Sequence, residues 1–161
     1  MMPPRIYWDA NVLLSYLNAI PDRLAVIDEL LRRSRANEIE LVTSSLSLVE
    51  VAFARAEKDA QHLDAHVEEL IDGLWAPGSP IKTVEFYDLI AYDARSLIRQ
   101  GITQGWGNLK PIDAIHVATA QHIAVSEFHT YCHRIQAWNG HVAFPIVEPQ
   151  TPQAMMDTGA A

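Results

Sequence analysis

The chain reads as an α/β domain: a three-layer α/β/α sandwich around a central, mostly parallel sheet of about five strands. Three observations predict this. Short apolar runs typical of buried strands alternate with longer segments whose apolar residues recur every three or four positions. Clusters of Gly, Pro and Ser punctuate the boundaries between them. Hydrophobic residues make up 49% of 161 residues, which is enough to form one sizeable core.

The elements follow in order. Arg5 to Trp8 is a short buried strand. Residues 22–36 carry Leu24, Ile27, Leu30 and Leu31 at helical spacing, with the basic cluster Arg32-Arg33-x-Arg35 read as a solvated face. Ile39 to Thr43 is a second strand, and Ser44 or Ser45 caps a helix expected to run through Glu50 to about Glu57. Residues 60–74 are helical through Leu63, Val67, Leu70 and Ile71, until Trp75-Ala76-Pro77-Gly78-Ser79-Pro80 breaks the pattern. Ile81 to Val84 is a third strand. A helix over about 85–100 shows Ile90, Ala94, Leu97 and Ile98 on one stripe and stops at Gly101. A glycine-containing loop leads to Pro111, which suits the first turn of a helix spanning about 111–124. Phe128 to Tyr131 and Val142 to Val147 supply two more strands. Residues 1–149 form a single domain in this reading, and 150–161, without periodicity, a flexible tail.

The totals exclude several classes. No apolar run approaches the roughly 20 residues of a membrane span. A lone cysteine, Cys132, rules out an internal disulfide and fits a reducing compartment, so a cytoplasmic location is expected. The net charge of −8 argues against a protein that holds nucleic acid by bulk attraction, although a local basic rim or a bound metal would still permit contact.

Three carboxylates stand in apolar surroundings. Asp9 ends the run Ile6-Tyr7-Trp8, Glu50 sits between Val49 and Val51, and Asp113 opens Pro111-Ile112-Asp113-Ala114-Ile115-His116-Val117-Ala118. An ionised acid in such a place is costly to desolvate, and three gathered by folding hold their charge only beside a compensating cation. Two of them have ordinary explanations: Asp9 caps the following helix, and Asp113 complements a helix dipole in the first turn. Glu50 has none, because its neighbours three and four positions away are Leu46, Ser47, Phe53 and Ala54. In an open parallel sheet, sites form beyond the carboxyl ends of the strands, where all three acids can meet. Asn11 could orient the Asp9 carboxylate or merely settle the turn.

Tyr-Trp-Asp-Ala-Asn-Val-Leu-Leu at 7–14, Thr-Ser-Ser-Leu-Ser-Leu-Val-Glu-Val at 43–51 and Leu-Lys-Pro-Ile-Asp-Ala-Ile-His-Val-Ala-Thr-Ala at 109–120 resemble the three acidic motifs of PIN-domain ribonucleases. The likeness in order and approximate spacing extends over residues 5–148 or so, and it is strongest to the toxins of VapBC-type toxin–antitoxin pairs. The resemblance implies an Mg²⁺- or Mn²⁺-dependent endoribonuclease that hydrolyses RNA to 5′-phosphate and 3′-hydroxyl products. It implies Asp9, Glu50 and Asp113 as metal ligands and catalytic residues, Ser44 and Thr130 in support, a homodimer, and a cognate antitoxin covering the cleft.

The fourth motif departs from the family. Thr-x-Asp is replaced by Thr130-Tyr131-Cys132, and a thiol is a poor partner for Mg²⁺. A second reading follows: a PIN-like scaffold that has lost catalysis and acts as a binding or regulatory protein. Lys110 and Arg134 are the basic residues nearest the expected cleft, either contacting RNA phosphate or simply solvated. His129, Cys132 and His133 do not have the spacing of a structural zinc site. His116 and His122 are expected at the surface or core edge. A receiver-type phosphoacceptor would need an acid pair beside Asp9, which is missing.

Overall fold

The computed structural model describes residues 2–151. Strand β1 (Arg5–Trp8) lies at the centre of a five-stranded sheet, with β2 (Glu40–Ser44) and β3 (Ile81–Val84) on one side and β4 (Glu127–His129) and β5 (Ile146–Val147) on the other. The order is β3-β2-β1-β4-β5 and every pair is parallel, with Tyr7 opposite Val42 and Phe128. Successive side chains of a strand point to opposite faces, and both faces of this sheet are covered. Ile6, Trp8, Leu41 and Ile81 pack under α1 (Ala10–Leu17), α2 (Pro21–Arg35) and α5 (Ala65–Trp75). Tyr7, Val42, Phe128 and Ile146 face α6 (Asp88–Gln104), α7 (Pro111–His122) and α8 (His133–Gln136). The fold is therefore the expected three-layer sandwich. Among the described residues no helix is long and apolar enough to cross a membrane.

Several boundaries differ from the sequence reading, each for a local reason. The helix expected from Ser44 or Ser45 to Glu57 is broken into α3 (Ser47–Glu50) and α4 (Arg55–Ala60). Neither serine is its N-cap: the Ser44 hydroxyl accepts from the Leu46 amide, and the Ser45 hydroxyl accepts from the Phe86 amide. Buried Val51 turns the chain inward, and the buried Glu57 carboxylate accepts from the Ala54 and Asp64 amides at 2.9 and 2.7 Å. These bonds satisfy the start of one helix and the approach to the next, so continuous helix is not required.

Asp64 caps α5 through the His66 and Val67 amides, which leaves Leu63 outside the helix and 73% exposed rather than on its apolar stripe. Helix α6 runs through Gly101 and ends at Gly105, whose φ of 71° suits a helix C-terminus. Gly101 serves packing instead: a Cβ there would meet Trp138 Cζ2 at 2.5 Å and the Gly107 carbonyl at 2.8 Å. Pro111 does open α7, which ends at His122. The two late strands are shorter than expected, because the chain turns into α8 directly after Cys132 and only Ile146 and Val147 find a partner in β4. The proposed tail lies outside the described residues from 152 onward.

Candidate metal-dependent active site

Crossovers leave β1 in both directions, so the sheet's switch point falls between β1 and β4. Asp9 follows β1 there and is 1% exposed. It caps α1, accepting weakly from the Val12 amide at 3.4 Å, and its second oxygen accepts from the buried Thr130 hydroxyl just after β4. Among the described residues no cation bonds to it. Burial therefore pushes its pKa from 3.8 up to about 6; the nearby His116 ring and the Thr130 and Val12 hydrogen bonds offset this only in part, and Glu50's charge adds to it.

Glu50 ends α3, the short helix that follows β2. Its Oε1 lies 2.6 Å from His116 Nε2, and the side chain is 21% exposed. The other ring nitrogen, Nδ1, lies 2.6 Å from the Tyr7 hydroxyl, which accepts from the Ser44 amide at 3.1 Å. Tyr7 is wholly buried, and desolvation, aided by the charges of Asp9 and Glu50, pushes its pKa well above the usual value.

Asp113 stands in the first turn of α7, one helical turn before His116. Its Oδ2 accepts from the Lys110 amide at 3.2 Å and from Arg134 Nε at 3.1 Å. Because α7 runs back from the carboxyl edge of the sheet to begin β4, its first turn belongs to the same rim as Asp9 and Thr130. Thr130 also accepts from the Cys132 amide at 2.9 Å, which seats Cys132 beside the Asp9 pair.

The structure thus places Asp9, Glu50 and Asp113 at one rim, each with its own partner: a hydroxyl and an amide, an imidazole, and a guanidinium. Among the described residues no three His, Cys, Asp or Glu side chains form a group able to hold a metal together. The donors nevertheless fit Mg²⁺ or Mn²⁺. They are all oxygens, Mg²⁺ usually takes only one or two carboxylates and keeps several waters, and Asp9 is a buried acid without a bonded cation. Asn11 is exposed and makes no hydrogen bond to Asp9. Lys110 is exposed and forms no ion pair among the described residues, whereas Arg134 is drawn onto Asp113.

Sequence reasoning misplaced His116, which is 2% exposed and central to the site, and overlooked Tyr7. The signal was the one that singled out Glu50: a polar group inside the apolar run Ala114 to Ala118. His122, by contrast, meets the Tyr87 hydroxyl in an exposed pair. The zinc reading fails because buried His129 accepts from Trp8 Nε1 on one ring nitrogen and bonds Glu127 at 2.7 Å through the other. Cys132 and His133 are at the start of α8.

Comparisons with known proteins agree with the fold. A search of curated protein sequences gives no match. Among solved structures, the chain is similar to VapBC2 of Rickettsia felis, bound to a DNA fragment from its promoter, at 16% identity and a TM-score of 0.58, over 89% of this chain and 97% of the other. It is likewise similar to VapC20 of Mycobacterium tuberculosis, a toxin that cleaves the sarcin–ricin loop, at 12% identity and 0.58, over 82% and 93%. FitAcB of Neisseria gonorrhoeae matches at 16% identity and 0.59, over 89% and 97%. At these identities the likeness speaks for the fold. The PIN domain family profile matches residues 6–134, and the chain belongs to that family.

Proposed function

We propose that the protein is an Mg²⁺- or Mn²⁺-dependent endoribonuclease and the toxin of a toxin–antitoxin pair. The observation that supports this most is Asp9: a carboxylate buried at the sheet's switch point, without a bonded cation, beside Glu50 and on the same rim as Asp113. Such an arrangement is unfavourable in an isolated fold and favourable around a divalent ion.

In this reading Asp9, Glu50 and Asp113 hold the ion. Once bound, it supplies charge stabilisation at a phosphate oxygen and lowers the pKa of water. The protein's own residues do the rest. Thr130 fixes the Asp9 carboxylate through its hydroxyl, and Ser44 anchors the end of β2 through its amide. In this reading exposed Lys110, and Arg134 once it leaves Asp113, are the contacts to RNA phosphate. An acidic chain then needs only a few local phosphate contacts. VapBC2, a structural neighbour, supports a cognate antitoxin as partner, and we extend the family's homodimer and a cytoplasmic site of action to this chain.

Cleavage of RNA with Mg²⁺ or Mn²⁺ is expected from the wild type and not from Glu50→Gln. Equal silence of both forms, together with no metal binding, would refute the enzyme reading. One feature favours a second reading, an impaired scaffold with a binding role: Cys132 occupies the fourth acidic position while Arg134 neutralises Asp113. Cys132→Asp separates the two. Raised metal affinity or turnover is expected if the missing acid limits activity; no change in either would show that position 132 is not a ligand.

A further inference from the structure

We propose that Tyr7 and His116 are positioning residues: a buried hydrogen-bond relay, Ser44 amide to Tyr7 to His116 to Glu50, that sets the direction of the Glu50 carboxylate. The inference rests on the reading of Glu50 as a metal ligand and adds what holds that ligand in place. The direction of the chain is set at its Glu50 end, where a carboxylate oxygen only accepts. A backbone N–H can only donate, so the Ser44 amide makes the Tyr7 oxygen an acceptor at 3.1 Å. The single hydroxyl proton of Tyr7 is then free to point at His116 Nδ1, 2.6 Å away. Nε2–H donates to Glu50 Oε1 at 2.6 Å, and Nδ1 of the neutral imidazole, left without a proton, accepts from the Tyr7 hydroxyl.

The relay has a purpose because Glu50 is poorly held otherwise. It closes a four-residue helix whose neighbour Val49 is 76% exposed, and among the described residues no lysine or arginine bonds to it. Oε1 is fixed by the imidazole, while Oε2 makes no hydrogen bond among the described residues and remains available. The anchoring groups are rigid. Tyr7 lies in the central strand, stacked on Phe128 with ring centroids 4.8 Å apart, and His116 is fixed on α7, its ring set edge-on to Tyr7. Partners of metal ligands that fix orientation in this way typically change metal affinity or activity 10–100-fold when removed.

The test uses the full chain. In the metal-free protein, long-range ¹H–¹⁵N correlation spectra should show His116 as the Nε2–H tautomer, and Tyr7→Phe should shift the Nδ1 resonance. Mn²⁺ titration should give an affinity about 10–100-fold weaker for His116→Leu than for the wild type. His116→Gln, whose side-chain amide can donate to Glu50, should recover most of the loss. A wild-type Nδ1–H tautomer overturns the relay, as does a folded His116→Leu protein with unchanged Mn²⁺ affinity. If the wild type binds no Mn²⁺, the nuclease reading itself fails, and the tautomer measurement still decides whether the relay exists.

Discussion

Asp9 shows how a single residue can serve function at the expense of the fold. Its folded pKa is raised from 3.8 to about 6 by burial, so the folded state holds a proton that the unfolded chain releases earlier. Stability from this group is fully present below pH 3.8 and is lost as pH rises through 6, leaving a cost of about 3 kcal/mol at neutral pH. Asp9→Asn keeps a hydrogen-bonding partner for Thr130 without the charge. Urea denaturation of the metal-free protein at pH 7.5 should find this variant more stable by roughly 1–3 kcal/mol, with the slope between pH 4 and 6 flattened. Mn²⁺ should raise the wild-type melting temperature and leave that of Asp9→Asn unchanged. Identical midpoints for both proteins at pH 7.5 would show that the carboxylate bears no such penalty. Asp9 and Asp113 had structural explanations in the sequence, as helix cap and first-turn acid, and both hold. The same atoms therefore shape the local fold and stand at the rim.

At the scale of elements, most helix and strand identities were legible while their ends, and the four-residue α8, were not. Periodicity reports which residues face a core, whereas an end depends on which distant group satisfies the last amides and carbonyls. Glu57 illustrates this: its carboxylate takes two backbone amides and interrupts a helix that the residue types would have allowed. Gly101 illustrates the converse. A glycine expected to stop a helix lies inside it, because Trp138 needs the space. Gly101→Ala should therefore destabilise by about 1–3 kcal/mol through overpacking. Gly73→Ala, inside α5 with nothing within 4 Å of the added carbon, should stabilise by about 0.5–1 kcal/mol. Thermal denaturation of the two variants compares them directly. Equal melting temperatures would mean that α6 can shift away from Trp138.

For the molecule as a whole, a net charge of −8 and an acidic rim limit how RNA can be held. Few phosphate contacts are available near the site, with Lys110 exposed and unpaired among the described residues and Arg134 engaged by Asp113. Binding of RNA to the Glu50→Gln protein should accordingly depend only weakly on salt, and Lys110→Ala should reduce the log–log slope by about 1. A steep slope that Lys110→Ala leaves unchanged would place the RNA on another surface, such as that of Arg32 and Arg33 on α2, which are paired with Glu29 and Glu38.

The sequence by itself determined the layer architecture, the parallel strand alternation and the three acids out of place among apolar residues. Each of these follows from local periodicity or from the desolvation cost of a charge, and both are written in neighbouring residue types. Tertiary structure alone decided the partners. That His116 is buried against Glu50 and Tyr7, that Arg134 takes Asp113, and that Thr130 meets Asp9 all depend on segments tens of residues or more apart meeting at the sheet's switch point. A hydrogen bond is set by ångströms and angles, and no spacing along the chain encodes those before the strands have paired.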